Sequence, residues 1–217
     1  MENIVLKEIT ILEFTFGELS TNCYIIDNSG EIALIDASNS NDDENVAIYN
    51  AIKARGALKY IINTHGHFDH IAGNNFLKNK FPDAMLVIHS NDREKLSSPE
   101  LNGSLHFGKH ITSVDCDMEI GPTLKQIHIG RTKLEFIYTP GHTKGSISVR
   151  GKGVVFTGDT LFQGTVGIAK EYKGAFNELI DSVKTKLLTL PQDFIILPGH
   201  GNSSTVSEEA QFNPFLV

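Results

Sequence analysis

The chain has 217 residues, of which 40% are hydrophobic and 21% charged, as is typical of globular domains and not of disordered or fibrous chains. Nineteen basic and 26 acidic residues give a net charge of −7, which argues against a nucleic-acid-binding protein. The two cysteines, Cys23 and Cys116, are too few for a disulfide-built scaffold or a cysteine-based zinc knuckle.

Apolar runs bounded by turn residues predict strands in both halves of the chain, and helical spacing of apolar residues predicts helices between them. The first half has predicted strands at 10–16, 23–27, 32–36, 60–62 and 85–88 and helices at 45–53 and 70–81. After a polar, poorly periodic segment over 91–121 come strands at 123–127, 133–138, 146–149 and 154–157, a helix at 175–188 and a strand at 194–197. This pattern indicates an α/β layered fold, and because no linker divides it we expect a single domain over 1–217.

Two segments of the chain share one plan. Residues 24–36 and 147–159 each contain an apolar strand, a polar or glycine turn, a second apolar strand and then an aspartate, Asp36 or Asp159. Further along each half, a strand runs into a histidine, His65 or His200. The two halves are either a duplication or two hairpins of a common type. In both cases, His and Asp residues at strand ends would converge on one central site.

Residues 64–70, Thr-His-Gly-His-Phe-Asp-His, offer four potential metal ligands in six residues. Neutral imidazole and carboxylate groups bind zinc and other first-row metals. Because alternate side chains of an extended loop point the same way, His65, His67 and Asp69 are expected to converge. His70, which starts the next helix, turns aside, and this split favours two adjacent ions over one. The alternative, an incidental solvated histidine tract, is disfavoured because the motif directly follows a strand.

Three later residues extend this set of ligands. His142, Asp159 and His200 each follow a predicted strand and have a glycine beside them, which permits close approach of the backbone. Five histidines and two aspartates at strand ends have few explanations other than a metal centre. Such a centre needs no serine or cysteine nucleophile, and both cysteines are interpreted as structural.

Four motifs follow one another in the chain: His-x-His-x-Asp-His, Thr-Pro-Gly-His-Thr-x-Gly-Ser, Gly-Asp-Thr-Leu-Phe and Pro-Gly-His-Gly. In these motifs the chain resembles the metallo-β-lactamase superfamily, and within it the short, single-domain glyoxalase II-like hydrolases. The resemblance implies an αββα sandwich, two mixed β-sheets flanked by helices, with a metal site at one edge. The implied ligands are His65, His67 and His142 for one metal, Asp69, His70 and His200 for the other, and Asp159 between them. The resemblance thus assigns Asp69 to the second metal, whereas the argument from side-chain direction places Asp69 with His65 and His67.

This ligand set predicts a hydrolase. Two divalent ions that share a water lower its pKa towards neutrality, and the hydroxide formed attacks an ester-like carbonyl. Asp69 is expected to orient this hydroxide as well as to bind metal. A thiolate leaves with little protonic help, and the resemblance to glyoxalase II-like enzymes implies a small thioester, such as an acylglutathione, as the substrate. Zinc is the expected metal, with iron or manganese as alternatives. The other hypotheses are a mononuclear iron persulfide dioxygenase, a lactone or other ester hydrolase, and a metal-binding scaffold without activity.

Departures from the family pattern bear on the substrate. Two-domain relatives carry a helical domain that helps to bind glutathione, and we expect that wall to be missing because only a short tail follows His200. Ile168 and Lys170 stand where the short branch has an arginine and an aspartate, and Asp36-Ala37-Ser38 replaces an Asp-Pro-Gly turn. With a gap, Lys170 and Tyr172 match a glutathione-binding Lys-x-Tyr-x-Gly motif. The cation of Lys170 could hold a substrate carboxylate; the alternative is a solvated lysine.

The chain offers no membrane-spanning or targeting signal. No apolar run approaches the roughly 20 residues that span a bilayer, and the acidic residue near the N-terminus, Glu2, is unlike the start of a signal peptide. We expect a cytoplasmic protein that acts on a small molecule and has neither nucleic acid nor membrane as a partner. The oligomeric state is left open.

Overall fold

Strands and short helices alternate along the chain in the computed structural model, which describes residues 2–6 and 9–217. The first half contains β1 (Glu2–Leu6), β2 (Ile9–Phe16), β3 (Thr21–Asn28), β4 (Glu31–Ile35), α1 (Asp42–Lys53), β5 (Ala57–Ile62), α2 (Phe68–Ile71), α3 (Asn74–Lys80), β6 (Met85–His89) and β7 (Met118–Ile120). The second half contains β8 (Gln126–Ile129), β9 (Thr132–Tyr138), β10 (Ile147–Arg150), β11 (Val154–Gly158), β12 (Leu161–Phe162), β13 (Thr165–Val166), α4 (Ala175–Ser182), β14 (Ile195–Pro198), β15 (Ser204–Thr205) and α5 (Val206–Phe212). Two 3₁₀ segments, Ser90–Leu96 and Ser104–Phe107, lie between β6 and β7, and a π-helical turn, Val183–Leu187, extends α4. None of the helices in the described residues is long and apolar enough to cross a membrane.

The strands form two large mixed sheets. In the first, β1 to β7 lie side by side in chain order, antiparallel from β1 to β4 and parallel from β4 to β7. In the second, the order is β15-β14-β11-β10-β9-β8, and only β11 and β14 are parallel neighbours. Strands β12 and β13 form a separate two-stranded ribbon.

Both faces of each sheet are apolar. Most of the core therefore lies in three apolar clusters, one between the two sheets and one on the outer face of each. Alternation along β2 shows this: Ile11 belongs to the cluster between the sheets, whereas Leu12 belongs to the cluster beneath α1 and α3. The rings of Tyr24 and Phe156 meet between the sheets at 5.2 Å. A third cluster joins α4 and α5 to the outer face of the second sheet. The result is the predicted αββα sandwich, two mixed β-sheets flanked by helices.

The shared plan of the two halves is also a shared topology. An antiparallel hairpin, β3–β4 or β10–β11, is followed by a strand parallel to its second member, β5 or β14. The two halves are joined directly, since the backbone N–H of Asn22 donates to the carbonyl of Gly199 at 2.7 Å. The topology therefore brings the ends of both parallel strands, and the histidines that follow them, to one edge.

The predicted helix over 70–81 is wrong as a continuous element. Helix α2 ends at Ile71 and α3 begins at Asn74. Between them, the Gly73 N–H donates to the carbonyl of Ala37 at 2.7 Å, and a Cβ on Gly73 would overlap the side chain of Asn39. The chain breaks its helix here because this glycine packs directly on the loop after β4.

Several short elements have no counterpart in the predicted pattern: β1, β7, β12, β13, β15 and α5. Strand β7 lies inside the segment 91–121, which was expected to be irregular, and is ordered by parallel pairing with β6. The strand expected at 123–127 begins only at Gln126, as β8. Strands of two or three residues are too short to display a period of two, so tertiary pairing defines them.

Candidate metal centre

All seven predicted ligands lie at one edge of the sandwich, just beyond strand ends. His65 and His67 follow β5, and Asp69 and His70 lie in α2. The remaining three follow strands of the second sheet: His142 lies between β9 and β10, Asp159 follows β11, and His200 follows β14. The structure brings the donor atoms of these seven residues together in overlapping groups within 4.8 Å of one another.

The first group consists of three imidazole nitrogens. His65 Nε2 lies 3.1 Å from His67 Nδ1, which lies 2.9 Å from His142 Nε2, and the His65 and His142 Nε2 atoms are 3.2 Å apart. Three ring nitrogens at such mutual distances cannot all bond one another, because each carries either a proton or a lone pair, and at least two of the three must be of the same kind. The arrangement fits a shared cation.

The second group combines a carboxylate with two imidazoles. Asp69 Oδ2 lies 3.4 Å from His70 Nε2 and 3.3 Å from His200 Nε2, and it accepts a hydrogen bond from Thr21 Oγ1 at 2.7 Å. The expectation that Asp69 converges with His65 and His67 is wrong. Helix α2 begins at Phe68, so the alternation of an extended loop ends before Asp69.

Asp159 lies between the two groups. Its Oδ1 is 3.3 Å from His70 Nε2, and its Oδ2 is 3.5 Å from the Nε2 atoms of both His142 and His200. Asp159 Oδ1 and His70 Nε2 are buried without a hydrogen-bond partner, which is costly unless another species satisfies them. A pair of metal ions fits these donors, with the Asp159 carboxylate able to contact both.

The outer nitrogen of four of the five donor histidines faces a hydrogen-bond acceptor, so the neutral form of each of these four presents a lone pair on its inner nitrogen. The acceptors are Thr64 Oγ1 for His65 (3.1 Å), Asp36 Oδ2 for His70 (2.8 Å), the Ile168 carbonyl for His142 (2.7 Å) and the Leu19 carbonyl for His200 (3.1 Å). His67 uses Nδ1 inward, and its Nε2 is 3.9 Å from Glu171 Oε1. In their neutral forms, the four histidines with such an acceptor can therefore each bind a cation through the inner ring nitrogen.

The two groups differ in electrostatics. Burial, reinforced by His142 and other neighbouring cations, lowers the pKa of His67 to about 3 and that of His65 well below its usual value. Burial also opposes charge at His200, but hydrogen bonds to Asp159 and Asp69 raise its pKa to about 10. Against the same opposing burial, the charge of His70 lowers the pKa of Asp69 to about 2. The second group therefore holds protons that an arriving cation would replace.

Asp36 is a buried support, which the shared plan of the two halves places near the central site but to which the sequence assigned no role. It follows β4 with φ of 55° and accepts from the Thr64 N–H at 2.7 Å, from Thr64 Oγ1 at 2.8 Å and from His70 Nδ1 at 2.8 Å. One carboxylate thereby orients His70 directly and His65 through Thr64. The signal was present, because Asp36 ends its hairpin as Asp159 ends the matching one.

Asp92 is a second support, from the segment expected to be irregular. It is fully buried and accepts from the Gly66 N–H at 2.8 Å, from Thr143 Oγ1 at 2.7 Å and from the Gly145 N–H at 2.9 Å. The loop of His65 and His67 is therefore tied to the loop of His142 by one side chain. No sequence pattern marked Asp92.

A cavity of about 540 Å³ opens over the donor groups, lined by His67, Asp69, His142, Asp159 and His200 together with Lys170. Tyr172, the second candidate for substrate binding, does not line this cavity in the described residues, and its hydroxyl donates to Glu178 at 2.7 Å. A larger depression of about 1020 Å³, bordered by Ile9, Asp27 and Arg131, contains none of the seven ligands. Donor chemistry therefore identifies the smaller cavity as the candidate site.

The cysteines fit their structural interpretation. Cys23 is buried in β3 and Cys116 is half-buried, and both thiols are free. Burial raises the pKa of both, for Cys116 to about 11. Neither is a reactive thiolate at neutral pH.

Comparisons with known proteins agree with this geometry. Residues 16–200 match the family model described as the metallo-beta-lactamase superfamily. A protein named probable metallo-hydrolase YqgX from Bacillus subtilis is 34% identical over 204 residues, which cover 92% of this chain and 94% of the relative. Hydroxyacylglutathione hydrolase GloC from Haemophilus influenzae is 36% identical over 167 residues, covering 73% of this chain and 76% of that protein.

A solved structure extends the comparison to the fold. The crystal structure of BLEG-1 B3 metallo-beta-lactamase superposes with a TM-score of 0.88 at 31% identity, covering 95% of this chain and 99% of that one. The two molecules therefore share the arrangement of both sheets and their flanking helices over nearly their full lengths.

Proposed function

Because the chain belongs to the metallo-β-lactamase superfamily, we propose that its seven His and Asp residues hold two divalent metal ions, with zinc expected, and that it hydrolyses a small thioester. The observation that carries this proposal is Asp159, whose two carboxylate oxygens lie within 3.5 Å of ligand nitrogens in both donor groups. His65, His67 and His142 would hold one ion. Asp69, His70 and His200 would hold the other.

The protein's own residues prepare the site for this chemistry. When bound, a pair of divalent ions acidifies a water and polarises a carbonyl oxygen. Asp69, held by Thr21 Oγ1 at 2.7 Å, would orient the attacking water at the edge of the second group. Asp36 and the carbonyls of Leu19 and Ile168 keep the protons of three ligand histidines on their outer nitrogens.

An acylglutathione is the specific substrate that we propose for this site. One relative is named as a hydroxyacylglutathione hydrolase, and the cavity holds Lys170, whose ammonium group could pair with a substrate carboxylate. A thiolate leaving group needs little protonation, which suits a cavity whose acidic side chains face the ligand histidines. Tyr172 contributes only if its bond to Glu178 opens.

Two measurements test the proposal: the metal content of the purified protein, and an assay that follows both thiol release and oxygen uptake. Protein expressed in metal-supplemented medium should contain close to two ions per chain by elemental analysis, and should release thiol from lactoylglutathione. Asp159→Asn should lose most of the metal and most of the activity, whereas Asp27→Asn, a change of a half-buried residue near the end of β3, should retain both. A chain without metal would overturn the proposed site, and oxygen uptake with glutathione persulfide in place of thiol release would identify the dioxygenase instead.

A further inference from the structure

The lining of the cavity over the donor groups includes four large apolar side chains, those of Leu19, Phe68, Phe107 and Ile168, which together are called the apolar wall. The side chain of Ile168 is 72% exposed and that of Phe107 is 50% exposed, while the Phe68 ring is buried and packs against Phe107 with centroids 5.0 Å apart. Large apolar groups exposed together at a concave site are typical of surfaces that bind an apolar ligand.

This apolar wall is fixed relative to the ligand histidines by backbone hydrogen bonds. The carbonyl of Leu19 accepts from His200 Nδ1 and that of Ile168 from His142 Nδ1, at 3.1 and 2.7 Å. Phe68 directly follows His67 in the chain, and its N–H donates to the carbonyl of Asn102. A group lying on the wall would therefore have a defined position relative to the donor groups.

A second cavity of about 490 Å³ adjoins the first and adds charged side chains to the site. The two share His67, Gly103, His106 and Glu171. Beyond that boundary the second cavity is lined by Glu94, Glu100 and Lys144, and the Lys144 ammonium lies over the Tyr172 ring at 5.6 Å. The site thus has an apolar arm and a charged arm that meet beside His67.

We propose that the substrate of this site is a thioester with an apolar acyl group that lies on the wall of Leu19, Phe68, Phe107 and Ile168, and with a polar thiol that enters the charged arm. This inference rests on the proposed thioester hydrolysis and deepens it by naming the substrate class. Burial of each methylene against the wall favours binding by up to about fourfold. Acyl-chain length is then the main determinant of substrate preference.

A chain-length series on the metal-loaded protein tests the inference. With acetyl, butanoyl and hexanoyl thioesters of N-acetylcysteamine, kcat/KM should rise at least tenfold from acetyl to hexanoyl. Phe107→Ser and Ile168→Thr should each flatten this rise, and the second variant keeps the backbone carbonyl that holds His142. Phe212→Ser is the matched control, because Phe212 is 74% exposed and lines neither cavity.

A binding measurement separates this inference from the proposed function. Hexanoate should raise the melting temperature of the wild type more than acetate does, and Phe107→Ser should remove that difference. If no thioester is cleaved but the hexanoate effect persists, the proposed function fails and the apolar subsite stands. If thioesters are cleaved but kcat/KM does not depend on acyl length in either the wild type or the variants, the inference is overturned. It is also overturned if kcat/KM rises when the thiol, and not the acyl group, is lengthened.

Discussion

At the scale of single residues, the carboxylate of Asp36 supports two of the donor histidines, His70 directly and His65 through Thr64. Its three hydrogen bonds come from Thr64 and His70 at 2.7–2.8 Å. In Asp36→Asn, one acceptor oxygen becomes an NH₂ group that faces an existing donor. We expect metal affinity to fall about 10- to 100-fold and the free energy of unfolding of the metal-free protein to fall by about 1–3 kcal/mol. Competition with a chromophoric chelator and urea denaturation measure the two effects.

Asp27→Asn is the control for this comparison, since among the described residues the Asp27 carboxylate accepts a single hydrogen bond, from the Gly30 N–H at 2.9 Å. It should leave metal affinity unchanged. An Asp36→Asn protein that binds metal as tightly as the wild type would show that Asp36 supports the fold without orienting His70.

Residue identity predicts the members of the donor groups better than it predicts the groups that support them. That His142, Asp159 and His200 lie in the donor groups was predictable, because each follows a strand beside a glycine. The supports of His142 and His200 are backbone carbonyls, of Ile168 and Leu19, which any residue could supply. Ile168 therefore departs from the family pattern in its side chain while its carbonyl still orients His142. A backbone contact of this kind has no sequence signature.

At the scale of elements, α1 is anchored to the β2–β3 turn by Glu44 in its first turn. Glu44 accepts from the Gly17 N–H at 2.9 Å and from the N–H and hydroxyl of Ser40 at 2.7 and 3.0 Å. Burial acts to raise the pKa of Glu44, but these hydrogen bonds lower it below its ordinary 4.5. The ionised carboxylate is thus favoured in the folded state.

The sign of the pH dependence follows from this lowered pKa. The stabilisation is fully present above the unfolded-state pKa and is lost as the pH falls through the folded-state pKa. Glu44→Gln should cost about 1 kcal/mol of unfolding free energy at pH 7, and wild type and variant should converge as the pH falls below 4.5. Urea denaturation of the metal-free proteins at several pH values measures this, and a difference that stays constant with pH would exclude the ionised carboxylate as its source.

Elements with a clear period were predictable, and those defined by tertiary contacts were not. The long strands β2 and β3 and the amphipathic α1 show their periods in sequence. By contrast, β7 exists because β6 offers an unpaired parallel edge, and the break between α2 and α3 exists because Gly73 packs on the loop after β4. Both features depend on residues distant in the chain, which no local pattern reports.

At the scale of the whole molecule, we expect metal binding at the edge that carries the donor groups, which we call the donor edge, to stabilise both sheets. The ligands come from strand ends of the first sheet (His65, His67) and of the second (His142, Asp159, His200), so bound ions would join two layers that otherwise meet through their apolar faces. Ions that bind only the folded chain stabilise it by about 4 kcal/mol per site at a thousandfold excess over Kd.

Removal of metal should therefore lower the melting temperature substantially. At about 2–4 °C per kcal/mol for a chain of this size, chelation with EDTA should lower it by more than about 10 °C, and added zinc should restore it. Asp159→Ala should lose most of this difference, because that carboxylate contacts both donor groups, whereas Asp27→Ala should keep it. A melting temperature that does not respond to EDTA in the wild type would mean that the two sheets hold the donor edge together without ions, and that the seven ligands contribute nothing to folding.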